Sequence, residues 1–229
     1  MAIPVLVFGK SGSGKSRAMK FFAEDEILLV NVEGKTPPFK KKFKYVLMPP
    51  YSDSVDRILE KLKAMPCKSA VIDDAGYLMT HYFMAHHRNK QGNASFEMYD
   101  SIADSYYKLI SEIKKSVPDD VIVYIIMHED VSENTGEVKL KTIGKLLDSK
   151  VCIEGMVTIC LRCMSENGKH FFRTVTDGTD PVKTPEEMFD SDEIDNNLKL
   201  VDDTIRDFYG LAKFKPNKKS NKQEEKVNE

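Results

Sequence analysis

Short apolar runs alternate with segments of helical periodicity along most of this chain. The run from Ile27 to Val32 has almost no polar alternation, a pattern typical of a strand buried on both faces. Strands that alternate with helices predict a parallel sheet whose strands are joined by crossover helices. The predicted strands are 3–8, 27–32, 45–48, 69–72 and 121–127, and the predicted helices are 15–23, 52–65 and 101–117.

The later part of the chain is more polar. Residues 150–176 predict two further strands that turn at Glu166-Asn167-Gly168, a typical hairpin signal. Two polar stretches, 80–99 and 129–141, are predicted to be irregular connections. We interpret the strongly acidic segment 177–207 as a lid or as a surface that docks a partner.

The end of the sequence differs from the rest in composition. Residues 211–229 contain few apolar side chains and predict a disordered basic tail. The expected architecture is therefore one α/β domain over residues 1–210, with a mostly parallel sheet, flanking helices and a C-terminal β-hairpin.

The charge balance limits the classes of partner. The formal net charge is −2 over 229 residues, which argues against an overall cationic nucleic-acid binder but leaves local basic patches open. The first residues carry no basic leader, and their apolar run is too short to span a membrane. We expect a soluble cytoplasmic protein with no membrane partner.

Two cysteines form a C-x-x-C pair, Cys160 and Cys163, which raises the question of zinc or redox chemistry. No second pair lies at metal-ligand spacing, and the pair falls inside a predicted strand, where positions three apart face opposite sides. We therefore predict buried, reduced thiols.

A glycine-rich segment follows the first predicted strand and fits the pattern G-x-x-x-x-G-K-[ST]. Glycines let the backbone wrap around phosphate oxygens, and the next helix adds its positive end. We expect Lys15 to reach the β- and γ-phosphates of ATP and Ser16 to ligate Mg²⁺. The predicted nucleotide-binding residues are Gly9, Ser11, Gly12, Ser13, Gly14, Lys15, Ser16 and Arg17.

A second apolar strand ends in two acids, Asp73 and Asp74. A carboxylate at the end of such a strand lies beside the phosphate loop, where it can hold magnesium through water. We predict that Asp73, together with Ser16, forms the metal site. Asp74 remains open between a catalytic base, a supporting acid and a helix cap.

Two more strand ends carry polar side chains, Glu33 and His128. The order of phosphate loop, strand-end glutamate, strand-end aspartate and strand-end polar residue resembles the RecA-like P-loop NTPase core. The resemblance implies that Glu33 positions the attacking water and that His128 senses the γ-phosphate, where the family usually has glutamine. The predicted catalytic set is Lys15, Glu33, Asp74 and His128.

More closely, the chain resembles the small phage-encoded RecA-like ATP-binding proteins of single-strand annealing and recombination. The resemblance implies ATP-dependent work on single-stranded DNA by a homo-oligomer, either a ring or a filament, in the host cytoplasm. A single-strand-binding protein is a further possible partner. The segments that carry the resemblance are 9–16, 31–35, 71–74, 141–147 and 183–185, together with His128.

In RecA-type cores, the loops after the magnesium strand and the sensor strand line the DNA path. The corresponding stretches here contain Arg88 and Lys90 in the first and Lys139 and Lys141 in the second. The first also holds aromatic side chains that can stack on bases. The acids of the second stretch weaken it as a DNA contact, and solvated charged loops are the alternative for both.

Three functions stay open at this stage. The first is an ATPase that couples ATP to single-stranded DNA in recombination, annealing or replication. The second is a small-molecule kinase, which is disfavoured because the chain has few arginines and no arginine-rich lid segment. The third is a nucleotide sensor that regulates a partner protein without hydrolysis.

Overall fold

The computed structural model describes residues 1–50, 54–88 and 92–215. A nine-stranded sheet has the order β3-β2-β4-β5-β1-β7-β8-β9, with β6 paired to β5 beyond this path. The neighbours from β3 to β7 run parallel, whereas β6, β8 and β9 pair antiparallel. The strands are β1 Ile3–Gly9, β2 Ile27–Asn31, β3 Tyr45–Leu47, β4 Ser69–Asp73, β5 Ile122–Val131, β6 Val138–Leu140, β7 Ile159–Glu166, β8 Lys169–Arg173 and β9 Glu193–Asp195.

Helices cover both faces of the sheet. One apolar cluster joins the sheet to the helices α1, α2 and α3, and a second joins it to α5 and to a short 3-10 helix after β1. The α/β fold with a mostly parallel sheet and flanking helices is thus confirmed. The helices are α1 Ser54–Ala64, α2 Tyr77–His86, α3 Asn93–Ser116, α4 Lys145–Asp148 and α5 Leu198–Tyr209, with 3-10 turns at Ser16–Phe21 and Glu154–Met156.

The alternation of inward-facing side chains in β1 explains the two cores. Leu6 and Phe8 belong to the cluster under α3, whereas Val5 and Val7 belong to the cluster under α5, as successive side chains of a strand point to opposite faces. All five residues of β2, Ile27–Asn31, are buried. Its unbroken apolar pattern therefore predicted its burial on both faces correctly.

The predicted connection 80–99 is wrong for residues 80–86 and 93–99, which are helical. Helix α2 extends to His86, and α3 begins at Asn93. The sequence suggested a loop because polar residues and histidines dominate it, yet α2 buries Leu78 and Met79 at its start, and α3 buries Met98. Tertiary packing of these few apolar side chains overrides the weak local signal.

The predicted connection 129–141 is wrong for residues 129–131 and 138–140, which are strand. Strand β5 continues to Val131, and β6 returns beside it from Val138 to Leu140. Val138 and Leu140 are buried while Lys139 between them is exposed, which is the alternation of a half-buried strand. Three residues are too few for that alternation to stand out in sequence.

The helix predicted at 15–23 is a shorter 3-10 helix, Ser16–Phe21. The Ala18 amide is shared between the carbonyls of Gly14 and Lys15, at 3.0 and 3.3 Å, a three-centre bond common at helix ends. The hairpin signal is confirmed, because β7 and β8 meet at Asn167 and Gly168, with φ of 49° and 76°.

The acidic segment 177–207 contains β9 and most of α5, so much of it belongs to the domain. Helix α5 begins at the cap of Asn197, whose side chain accepts a bond from the Leu200 amide, and it ends at Gly210 with a φ of 67°. Residues 216–229 lie outside the described residues, so the disordered tail stays a prediction.

A buried ion pair connects α5 to the sheet at the start of β4. The Arg206 guanidinium donates to the Asp202 carboxylate at 2.7 Å and to the Lys68 carbonyl at 2.7 Å. Asp202 also accepts bonds from Ser69 at 2.7 Å and Tyr124 at 3.1 Å. These bonds satisfy charges that burial alone would penalise heavily.

Across the described ranges, no helix is long and apolar enough to cross a membrane.

Candidate nucleotide-binding site

Parallel register brings four strand ends to one edge of the sheet. Gly9 at the end of β1 is the partner of His128 in β5, and Asn31 of β2 is the partner of Asp73 in β4. The polar side chains that follow apolar strands therefore converge beside the glycine-rich loop. Ligands of open α/β sheets bind at this carboxyl edge.

The loop needs glycine for two different reasons. Gly12 and Gly14 have φ angles of 79° and 105°, a region that disfavours side chains. Gly9 has ordinary φ but no room, since a Cβ there would lie 2.3 Å from the Cys163 carbonyl oxygen. A Cβ on Gly14 would lie 2.8 Å from the His170 ring. The predicted glycines are thus required by the backbone itself.

Strands β7 and β8 and the end of β9 support the loop from behind. The Ser13 carbonyl accepts bonds from the Cys163 thiol at 3.2 Å and from the His170 Nδ1 at 2.8 Å. Asn196 donates to the Cys163 sulfur at 3.3 Å and accepts from Arg17 at 3.0 Å. Sequence reasoning missed His170 and Asn196 as site residues, because only the hairpin pairing brings them to the loop.

Lys15 extends along the inside of the loop. Its Nζ donates to the Gly9 and Lys10 carbonyl oxygens at 2.8 and 2.7 Å and lies 3.5 Å from the His128 Nδ1. Burial lowers the pKa of Lys15 below its ordinary value, although nearby acids act in the opposite direction. The ammonium therefore lies among carbonyl oxygens at the mouth of the loop, as its predicted role requires.

The predicted metal residues are adjacent. The Ser16 hydroxyl donates to the Asp73 Oδ1 at 2.9 Å. Burial and the neighbouring Asp74 charge raise the pKa of Asp73 to about 6, and the Ser16 bond only partly offsets this. A hydroxyl and a carboxylate at this distance form an oxygen donor set that suits Mg²⁺.

Asp74 lies at the centre of an ion-pair network. Lys35 Nζ lies 2.8 Å from one carboxylate oxygen, and His128 Nε2 lies 3.2 Å from the other. Burial acts to raise the pKa of Asp74, but bonds from His128 and Lys35 hold it at about 2. The backbone of Asp74 has a φ of 59°, in the left-handed region that aspartate tolerates better than most residues. The sequence assigned Lys35 no role in the site, although it lies in the segment 31–35 that carries the resemblance.

Glu33 is paired with a histidine of α2. Its carboxylate lies 2.6 Å from the His81 Nε2. A groove lies over the glycine-rich loop. Asp74 and His128 line it, whereas Glu33 is not among its described lining residues. The water-positioning role of Glu33 therefore stays a prediction, and the structure adds a partner that the sequence did not suggest.

The groove over the loop has a volume of about 380 Å³ and contains most of the predicted nucleotide-binding residues. The Ser13 hydroxyl, buried beside it, has no hydrogen-bond partner in the described structure. An orphaned hydroxyl, positive-φ glycines and a buried ammonium fit a bound polyphosphate. The lining residues are Ser11, Gly12, Gly14, Lys15, Ser16, Arg17, Lys35, Pro38, Asp74, His128 and His170.

No described group of three or more His, Cys, Asp or Glu residues is arranged to hold a metal by itself. Cys160 and Cys163 are buried free thiols on β7. Burial raises the pKa of Cys163 to about 11, so it remains a neutral thiol.

The residues predicted to contact DNA are spread over several elements. Arg88 is exposed just beyond α2, and Lys139 is exposed on β6 with its Nζ 3.2 Å from Glu137. Lys141 lines a second cavity of about 390 Å³, together with Ser11, Tyr77 and His128. Lys90 lies outside the described residues.

The acids of the predicted DNA stretch 129–141 are not all available to repel a backbone phosphate. Glu129 accepts two bonds from the Arg162 guanidinium, at 2.9 and 3.1 Å, and its side chain is only 2% exposed. The acidic content that weakened this stretch in sequence is therefore partly internal.

Comparisons with known proteins give little beyond this geometry. No protein-family model matches the chain, and no curated protein matches it. Among solved structures, the chain is similar to a KaiC-like protein from the hyperthermophilic archaeon Pyrococcus horikoshii OT3, with 16% identity and a TM-score of 0.47. The match covers 75% of this chain and 77% of that chain. A likeness this distant decides nothing about the chemistry of the loop.

Proposed function

We propose that this protein is a Mg²⁺-dependent ATPase of the RecA-like P-loop type. The observation that carries the proposal is the convergence of Lys15, the Ser16–Asp73 pair and the Asp74–His128 pair on one groove. A loop that only binds phosphate needs the first of these groups. Oxygen ligands for a metal and an acid–histidine pair are further groups, which supply charge neutralisation and a proton acceptor for hydrolysis.

The proposed reaction is attack of water on the γ-phosphorus. A bond forms from the water oxygen to phosphorus, the bond to the β–γ bridging oxygen breaks, and ADP and inorganic phosphate result. When bound, Mg²⁺ neutralises phosphate charge, and Ser16 and Asp73 are the residues that would hold it. Lys15 supplies a fixed positive charge beside the departing phosphate.

The Asp74–His128 pair is suited to orient the water. Ionised Asp74 accepts the bond from His128 Nε2, which leaves Nδ1 as the acceptor nitrogen near Lys15. His128 Nδ1 would accept a proton from the attacking water and pass it to solvent. We assign this role to His128 in place of simple γ-phosphate sensing, because His128 lines the groove whereas Glu33 is held by His81.

We further propose that single-stranded DNA is the partner whose binding is coupled to ATP, in phage recombination, annealing or replication. Helix α2 supports this coupling because it connects the nucleotide groove with Arg88, a residue predicted to contact DNA. The Lys35 ammonium lies 4.9 Å from the ring centroid of Tyr77, the first residue of α2. His81 of the same helix is paired with Glu33, and Arg88 lies just beyond the end of the helix. Movement of α2 on DNA binding would therefore change the contacts of Glu33 and Lys35 directly.

Steady-state ATP turnover with and without single-stranded DNA tests this function. Stimulation by DNA in the wild-type protein, and its loss in an Arg88→Ala variant, is the expected result. Arg57→Ala is the matched control, because Arg57 is an exposed arginine on α1, a different helix. Turnover that DNA does not change would contradict the DNA partner while leaving the ATPase in place.

A nucleotide sensor is the second candidate, and the Glu33–His81 pair favours it. The Glu33 carboxylate lies 2.6 Å from the His81 side chain of α2. A shift of Glu33 on nucleotide binding would therefore move α2, and a partner protein bound to α2 would respond to that movement. A sensor would bind ATP without releasing phosphate in the presence or absence of DNA. Replacing Glu33 by glutamine would then weaken the response of α2, measured by hydrogen exchange of its amides, and leave ATP affinity unchanged.

A further inference from the structure

The groove over the loop has two chemically different ends. Asp73 ends β4 and Asp74 follows it, whereas His128 ends the apolar part of β5. Both strands lie on one side of β1. Strands β7, β8 and β9 lie on the other side of β1. If the proposed function holds, the terminal phosphate lies at the β4–β5 end. The nucleoside half of the ligand must then extend toward the opposite end.

The side chains at that opposite end are fixed in place. His170 of β8 lies against Gly14 and bonds the Ser13 carbonyl at 2.8 Å. Arg17 is bonded at 3.0 Å to the Asn196 side chain, which is 3% exposed. His170 and Arg17 nevertheless remain partly exposed to the groove. They are therefore held rigidly and still accessible to a ligand.

The chemistry of these groups is that of a stacking surface. An imidazole ring and a planar guanidinium both stack on aromatic bases. Pro38, an exposed residue from the loop after β2, lines the same groove and adds an apolar ring.

We propose that the base and ribose of the bound nucleotide lie against His170 and Arg17, with Pro38 on the rim of the same groove. Asn196 is a positioning residue in this arrangement, because it fixes the Arg17 guanidinium and is itself buried. The inference rests on the proposed function and adds to it the part of the site that recognises a nucleoside. The hairpin β7–β8 and the acidic strand β9 thereby become part of the ligand site.

A purely structural role is the competing explanation, because His170 also supports the loop through Ser13. The two roles predict different ligand dependence. A base contact affects ATP and leaves inorganic tripolyphosphate unaffected, because tripolyphosphate has the phosphates without the nucleoside. Support of the loop affects both ligands alike, because both are held by the loop amides.

Calorimetric titration of the full chain with Mg·ATP and with Mg·tripolyphosphate separates these roles. The wild-type protein is expected to bind ATP more tightly. Because His170 also bonds the Ser13 carbonyl, His170→Ala is expected to weaken ATP binding by about fivefold more than it weakens tripolyphosphate binding, the lower range for loss of one base-stacking contact. His170→Phe, which keeps a flat ring but loses the bond to Ser13, is expected to retain most of the preference for ATP.

Asn196→Leu tests the positioning role, because it should lower the preference for ATP without changing tripolyphosphate affinity. Lys169→Ala is the control, since Lys169 is the exposed neighbour of His170 on β8. Equal losses for both ligands in His170→Ala would overturn the proposal, as would a wild-type protein that binds tripolyphosphate as tightly as ATP. A wild-type protein that binds neither ligand would overturn the proposed function as well.

Discussion

The ionised Asp73 carboxylate is expected to lower the free energy of unfolding, because the site holds it buried beside a second acid. Its pKa rises from an ordinary 3.8 to about 6, because the carboxylate is buried beside a second acid. A shift of this size corresponds to about 3 kcal/mol at most. The Asp73 side chain keeps some exposure to solvent, so we expect about 1–2 kcal/mol.

The sign follows from proton linkage. A carboxyl whose pKa is higher in the folded state binds its proton more tightly there, so stability falls as pH rises from about 4 to about 6. Above that window the full penalty is present. Asp73→Asn removes the ionisable group and keeps an oxygen that can accept the Ser16 bond. The variant should therefore unfold at higher denaturant concentration than the wild type at pH 7.5.

Urea denaturation without nucleotide or metal measures this difference. The stabilisation by Asp73→Asn should be present at pH 7.5 and nearly absent at pH 4, and the variant should lose Mg²⁺-dependent ATP binding. Asp207→Asn is the control, because Asp207 is an exposed acid of α5. An Asp73→Asn protein that is less stable than the wild type at pH 7.5, or equally stabilised at both pH values, would refute the reasoning.

Three further changes have defined outcomes. Arg206→Met should lower the free energy of unfolding by about 3–5 kcal/mol, because it leaves a buried carboxylate unpaired, and urea denaturation that shows under 1 kcal/mol would contradict this. Gly9→Ala should destabilise more than Gly12→Ala in thermal melts, since only the first places a Cβ against backbone; the reverse order would count against the loop geometry. Lys35→Ala should raise the pKa of Asp74 from about 2, so the acid limb of the pH–rate profile should move to higher pH, and an unchanged limb would exclude Asp74 from the reaction.

The parts of the fold that were predictable depend on local patterns. The loop from Gly9 to Ser16 carries its own conformational requirement in the glycines, and β2 signals its buried position by an unbroken apolar run. Asp73 was predictable as the acid that ends such an apolar strand. In each case, neighbouring residues in sequence contain the necessary information.

The parts that were not predictable depend on contacts between distant segments. His170 and Asn196 reach the loop only because β8 and β9 add to the sheet beside β7. The pairing of Lys35 with Asp74 and of His81 with Glu33 joins segments that carry no shared pattern. Helix α2 was missed for the same reason, since packing against α3 and the sheet stabilises a segment with weak local preference.

Single-turnover hydrolysis of ATP labelled at the γ-phosphate, with Mg²⁺ and excess protein, tests the central claim most directly. Wild-type protein is expected to release labelled phosphate, and His128→Gln is expected to bind ATP normally but release phosphate at least about 100-fold more slowly. Lys15→Ala should lose both binding and release. Phosphate release by His128→Gln at the wild-type rate would contradict the proton-accepting role of His128. Release by Lys15→Ala at a rate comparable to the wild type would contradict the assignment of catalysis to this groove.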